Sequence, residues 1–262
     1  MSSALPMNQV VLGEAIEVMR SLPDGCIDAL ISDPPYNTTN FTWDTKVDWQ
    51  LFWSEAERIC KPKAIKALFA QQPFATELIV SNRKQFRYEL VWEKPMALGF
   101  LDANIRPLRC HELILVFCHR FRGKDADSRC TYNPQKTPGK PYKAKSSEHV
   151  CQHYGRHAGR KTDNTGDRYP RDVLKFNNVS GGFRNGEAAY HPTQKPLELM
   201  KWLVLSYTDL GGVVLDPFSG SGSTAAACLT TGRNFIAVER DPKFHAASIQ
   251  RLSQIHEEVQ CG

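Results

Sequence analysis

Asp33, Pro34, Pro35 and Tyr36 form the most chemically distinctive run in this chain. They follow residues 27–32, an apolar stretch that reads as a buried strand. The Asp33 carboxylate accepts hydrogen bonds, and a proline has no N–H, so this corner offers acceptor oxygens with few competing donors. Tyr36 adds a flat apolar face. A planar ring carrying an exocyclic amine, such as adenine or cytosine, suits such a surface.

A second constellation lies far along the chain. Asp216-Pro217-Phe218-Ser219-Gly220-Ser221-Gly222-Ser223-Thr224-Ala225 sits between a strand pattern and a helix pattern. Gly220 and Gly222 let a ligand approach the backbone, and the helix start near Ser223 favours negative charge. Glu239 follows Asp216 by 23 residues, at the end of the next strand. A carboxylate there can accept both hydroxyls of a ribose. A nucleoside-containing cofactor is implied, and two fit. Gly220-x-Gly222-x-x-Ala225 matches the loose dinucleotide fingerprint. S-adenosylmethionine also has a ribose, lacks a pyrophosphate and carries a cationic ammonium, which suits Asp216. A plain strand-to-helix turn leaves the two acids unexplained.

These corners need a scaffold, and 262 residues suffice for one sizeable core. Strand patterns fall at 10–12, 27–32, 64–70, 88–92, 113–118, 213–215 and 235–238. Helix patterns run up to Met19, over 49–59 after a cap at Asp48, over 74–80, 196–207 and 222–229, and from Asp241-Pro242 towards Val259. Trp49, Phe52, Trp53, Ala56 and Ile59 recur at helical spacing and read as core. About seven strands, with helices between most of them, indicate a layered α/β fold.

Charge is uneven. The chain carries +5, but residues 119–190 hold 15 Lys/Arg against 7 Asp/Glu, a local +8 that leaves −3 for the rest. Such a segment suits a polyanion, although a solvated loop-rich surface accounts for the charge equally well. The eight cysteines are scattered without a C-x-x-C pair, and Met1 to Gln9 lacks a signal-peptide pattern. Reduced thiols, a cytoplasmic location and no membrane span are expected. His149, Cys151, His153 and His157 fit no standard zinc spacing, so no metal is expected. No cysteine is placed as a nucleophile.

Taken together, the chain resembles the DNA amino-methyltransferases, in the group whose catalytic motif precedes the glycine-rich one. Asp33-Pro34-Pro35-Tyr36 resembles the catalytic signature and Asp216 to Gly222 the cofactor signature. His191-Pro192-Thr193-Gln194-Lys195-Pro196 resembles the segment leading into the cofactor strand. Trp92-Glu93-Lys94-Pro95 and His111-Glu112 resemble a further stretch. The likeness spans nearly everything outside 119–190.

The resemblance implies a Rossmann-like class I S-adenosylmethionine-dependent fold, with about seven strands, mostly parallel with one antiparallel, in circularly permuted order, plus a loop-rich insertion. Residues 1–118 become the catalytic half, 119–190 a basic target-recognition insertion and 191–262 the cofactor half. The strands before Asp33 and Asp216 become neighbours. Asp33 and the Pro34 carbonyl would accept the amine hydrogens of a flipped base, with Pro35 beside them and Tyr36 stacked on the ring. S-adenosylmethionine would contact Asp216, Phe218, Gly220, Gly222, Ser223 and Glu239, with Thr193 and Lys195 at its methionine end. Glu14 stands where relatives often have Asp near the cofactor adenine, and Ser219 replaces another small residue. His111 and Glu112 are read as orienting their loop.

In such relatives Asp at the first catalytic position goes more often with adenine, and Ser with cytosine. N6-adenine in double-stranded DNA is therefore the leading target and N4-cytosine the runner-up. An RNA methyltransferase uses the same amine chemistry. A non-catalytic DNA-binding protein leaves the intact acids unexplained, and a nicotinamide oxidoreductase leaves Asp33 to Tyr36 unexplained. A homodimer and a separate restriction endonuclease are partners the resemblance allows.

Overall fold

The computed structural model describes residues 5–37, 46–121, 129–146, 149–151, 155–157, 159, 161–179 and 194–261. In chain order the elements are β1 (Gln9–Leu12), α1 (Ala15–Ser21), β2 (Ile27–Ser32), α2 (Trp49–Ile59), β3 (Cys60–Ala70), α3 (Phe74–Ser81), β4 (Phe86–Leu98) and β5 (Arg109–Cys118). Six short strands follow: β6 (Thr137–Pro138), β7 (Tyr142–Lys145), β8 (His149–Cys151), β9 (Gly155–His157), β10 (Lys161–Asn164) and β11 (Asp167–Arg168). The chain closes with β12 (Val173–Lys175), α4 (Leu197–Tyr207), β13 (Val213–Asp216), α5 (Ser223–Thr231), β14 (Asn234–Glu239) and α6 (Pro242–Cys261).

Two compact units result, one from residues 1–133 with 172–262 and one from Pro134–Arg171. The larger unit is built on a sheet in the order β1-β14-β13-β2-β3-β5-β4-β12. Its pairings are parallel except those of β5, which runs antiparallel to both β3 and β4. The seven strands read from the sequence are all present. The eighth, β12, falls inside the segment read as an insertion and pairs Leu174 with Trp92 of β4. Three residues with one buried side chain give no periodic signal, so this strand was invisible to patterning.

Helices cover both sheet faces, which explains why 27–31 reads as continuous apolar sequence rather than alternation. Ala29 and Ile31 face Leu203, Val204 and Ala226 on the α4–α5 side, whereas Leu30 faces Phe52, Ala56 and Leu78 on the α2–α3 side. Each large side chain so buried contributes about 1.5–3 kcal/mol. At the start of α2, the Asp48 carboxylate accepts from Gln50 N at 3.0 Å and Leu51 N at 3.1 Å, as its cap position predicts.

The smaller unit consists of antiparallel two-stranded pairs, β7 with β10, β6 with β11 and β8 with β9. Tyr142 packs under the Arg168 guanidinium at 4.8 Å, and Lys136 lies 4.7 Å over the Tyr169 ring. Within the larger unit, Asn133 is held by Ser206 O at 2.7 Å from its N–H and by Thr208 O at 3.0 Å from its side-chain amide.

Candidate active site

The parallel pairing of β13 with β2 sets Val214 beside Ala29 and Leu215 beside Leu30, so both strands end at the same rim. Asp216 and Ser32 therefore meet, and the Ser32 hydroxyl donates to Asp216 Oδ1 at 2.5 Å. Thr224 Oγ1, at the head of α5, donates to Ile31 O at 3.4 Å. Two corners 183 residues apart in sequence thus open on one cavity of about 810 Å³. Its lining includes Asp33, Pro34, Pro35 and Tyr36 on one side and Asp216, Phe218, Gly220, Ser223 and Glu239 on the other, with Glu14 and Lys195. Gly222 stands behind this lining at the cap of α5, and Thr193 lies outside the described residues.

On the catalytic side, Tyr36 Oη donates to Asp33 Oδ1 at 2.9 Å, and Lys195 Nζ bonds Asp33 Oδ2. The Asp33 side chain keeps 25% of its surface exposed. Burial works to raise its carboxyl, and the Lys195 ammonium opposes that rise. Burial, then the Asp33 charge, push the Tyr36 phenol well above its usual range, so Tyr36 acts as a donor and not as a base. Phe74 covers one face of the Tyr36 ring, with centroids 4.9 Å apart.

Lys195 was read from the sequence as facing the cofactor. Its ammonium engages Asp33 and stands 3.4 Å from Glu112 Oε2, while it also lines the cavity. Glu112 in turn pairs with Lys94 through Oε1, which also accepts from Gln71 Nε2 at 3.2 Å. Burial favours the neutral acid at Glu112, but the Lys195 and Lys94 ammoniums outweigh it and hold the carboxyl down, at about 2. Sequence reasoning gave Glu112 only a loop-orienting role and gave Lys94 none. The usable signal was an acid just before the apolar run 113–118, with a lysine two residues after the tryptophan that pairs opposite it.

On the cofactor side, Glu239 Oε2 accepts from Gly220 N at 2.8 Å and Oε1 from Asp241 N at 2.7 Å. Burial raises this carboxyl despite those N–H groups. Burial also pushes Asp216 up to about 6, against the bonds from Ser32 and Thr224. Phe218 stacks on Phe52 with centroids 6.0 Å apart, so it bridges core and cavity. Gly222 has φ +73°, and a Cβ there would meet Ser248 Cβ at 3.2 Å. Arg251, buried on α6, donates to Ser221 O and Ser223 Oγ, each at 3.0 Å, and Ser223 Oγ donates to Lys195 O at 3.0 Å. Glu14 caps α1, accepting from Ile16 N at 2.8 Å and Glu17 N at 3.3 Å.

Among the described residues no three His, Cys, Asp or Glu side chains are placed to hold a metal ion, and no helix is long and apolar enough to cross a membrane. The side chains of His149, Cys151, His153 and His157 lie outside the described residues.

The chain is similar to the DNA adenine methyltransferase YhdJ of Escherichia coli (strain K12), at 26% identity over 93% of this chain and 82% of that protein. Its fold is similar to the crystal structure of an M1.HpyAVI–SAM complex, with a TM-score of 0.61 and 21% identity over 93% of this chain and 98% of that one. It is also similar to the PvuII DNA methyltransferase, described as cytosine-N4-specific, with a TM-score of 0.63 and 15% identity over 97% of this chain and 92% of that one. The model of the N6/N4 DNA methylase family matches residues 27–250. With its acidic-proline corner and glycine turn on one cavity, the chain belongs to the N6/N4 DNA methylase family and is a DNA methyltransferase.

Proposed function

We propose that this chain methylates the N6 amine of an adenine flipped out of double-stranded DNA, with S-adenosylmethionine as donor. The observation that carries the reading is the shared cavity, which places the Asp33 corner and the Asp216–Glu239 turn on one volume.

The lining fits the donor. Nothing lies within 4 Å of a Cβ built on Gly220, so a ligand can approach the turn closely. The Ser219 hydroxyl lines the cavity and is buried without a hydrogen-bond partner. Glu239 would receive the ribose hydroxyls and Asp216 the ammonium. When bound, S-adenosylmethionine supplies a sulfonium-activated methyl group.

An exocyclic amine is a poor nucleophile because its lone pair is delocalised into the ring, and extruding the base costs a few kcal/mol. Asp33 and the Pro34 carbonyl would accept the two amine hydrogens, which would favour a pyramidal nitrogen whose lone pair is free to attack. A carboxylate has about four acceptor positions, so Asp33 keeps capacity beyond its bonds from Tyr36 and Lys195. Positioning and fixed charge then supply the catalysis without a covalent enzyme intermediate.

Segment 119–190 serves as target-recognition region between the catalytic and cofactor halves. Its compact part, Pro134–Arg171, holds 9 Lys/Arg against 3 Asp/Glu and so concentrates the basic excess. Lys140, Lys143, Lys145 and Tyr169 are exposed there. Phosphate contacts of this kind give an affinity that falls with salt.

N4-cytosine is the second reading, favoured by the cytosine-N4-specific protein that shares the fold. Digesting methylated DNA to nucleosides decides between them: N6-methyladenine supports the proposal, and N4-methylcytosine replaces it.

A further inference from the structure

Glu112 is 7% exposed, and its Oε2 is buried without a hydrogen-bond partner although it lines the cavity. That oxygen faces the Lys195 ammonium at 3.4 Å, and the same ammonium bonds Asp33. Its other oxygen is committed to Lys94 and Gln71. The ammoniums rest on aromatic faces, Lys94 at 4.7 Å over Trp92 and Lys195 at 4.9 Å over Phe69. Four charges from β4, β5 and the segments after β2 and before α4 therefore form one row, Lys94–Glu112–Lys195–Asp33, with no net charge and only its Asp33 end partly exposed.

We propose that Glu112 is a positioning residue for methyl transfer: it holds the Lys195 ammonium on Asp33 and so fixes the carboxylate that receives the amine. The proposal rests on the methyl-transfer reading. A buried charge stripped of one partner moves or neutralises, because low dielectric makes it costly to leave alone. Without Glu112, Lys195 is left with Asp33 alone and Lys94 loses its counter-charge. A displacement of about 1 Å at a positioning contact can cost up to about 100-fold in rate.

Lys195, Glu112 and Tyr36 all face Asp33, Asp216 acts on it along the sheet rim, and Arg109 acts on the Tyr36 side. Glu112, a like charge, raises the Asp33 carboxyl. Removing it takes away that like charge, but the Lys195 ammonium lowers the same carboxyl more strongly, so an ammonium that leaves Asp33 moves the acid limb of turnover upward.

The test compares wild type, Glu112→Gln and the double variant Lys94→Met with Glu112→Gln, using duplex DNA and labelled S-adenosylmethionine. The double variant removes one positive and one negative charge, so the row stays neutral and recovers thermal stability that Glu112→Gln loses. The proposal expects both variants to lose about 10- to 100-fold in kcat, with cofactor KM within about threefold and the acid limb shifted up. A double variant that regains both stability and wild-type kcat overturns it and leaves Glu112 a structural ion pair. An acid limb that stays put or shifts down in the folded double variant overturns it as well, because Lys195 then still sits on Asp33. Wild-type chain without methyl transfer to DNA overturns the methyl-transfer reading instead.

Discussion

The Ser32 hydroxyl bonds the Asp216 carboxylate across 184 residues of sequence, joining the strand that ends in the catalytic corner to the strand that ends in the cofactor turn. This bond joins neighbouring strand ends, so a shift of either strand would separate both corners of the cavity. The chemistry inferred for the site can be taken apart residue by residue.

Asp33→Ala removes the carboxylate proposed to receive the amine but leaves Lys195 beside Glu112. Labelled methyl transfer should fall by about 100- to 1,000-fold, while S-adenosylmethionine affinity measured by calorimetry stays within a few-fold. Transfer at the wild-type rate would refute the assigned role.

Asp216 carries a pH signature. Its folded carboxyl sits at about 6, above the 3.8 of the free group. The folded state therefore binds more protons between these values, and stability falls as pH rises through them, by up to about 3 kcal/mol. Asp216→Asn should melt higher than wild type at pH 8, converge with it near pH 4, and bind the cationic donor poorly. Parallel melting profiles at all pH values would contradict this account.

Glu239→Gln places an amide NH₂ against a backbone N–H, because both carboxylate oxygens accept, from Gly220 and Asp241. Cofactor binding should weaken by about 2 kcal/mol, roughly 30-fold in Kd. A Kd unchanged in equilibrium dialysis would remove Glu239 from the cofactor site.

The two glycines of the turn should respond differently. Gly220→Ala meets no atom within 4 Å and carries only the left-handed penalty of φ +51°, about 1–2 kcal/mol. Gly222→Ala adds a 3.2 Å approach to Ser248 Cβ at φ +73° and should lower Tm further. Equal melting temperatures would show that α6 yields to the added methyl.

Both corners were legible in the sequence because each is local: an apolar run followed at once by an acid, prolines or glycines, and a helix signal. The strand boundaries were harder. β3 begins at Cys60, four residues before the apolar run, because Lys61, Pro62 and Lys63 extend the strand while exposed. Lys195 was read from the sequence as a contact at the methionine end of the cofactor, but its bond to Asp33 spans 162 residues and no spacing rule reaches that far. Glu112 was harder still. An acid at the start of a strand usually faces water, and only the antiparallel register of β4 and β5 turns this one inward against Lys94.

The larger unit holds the chain on both sides of residues 134–171. Asn133 is tied to the end of α4 before the excursion, and Asp172 O accepts from Val91 N at 2.8 Å where β12 rejoins β4. With both stems fixed in the larger unit and no residue of 134–171 in the cavity lining, exchange of this segment for a relative's should leave the methyl-transfer chamber its walls.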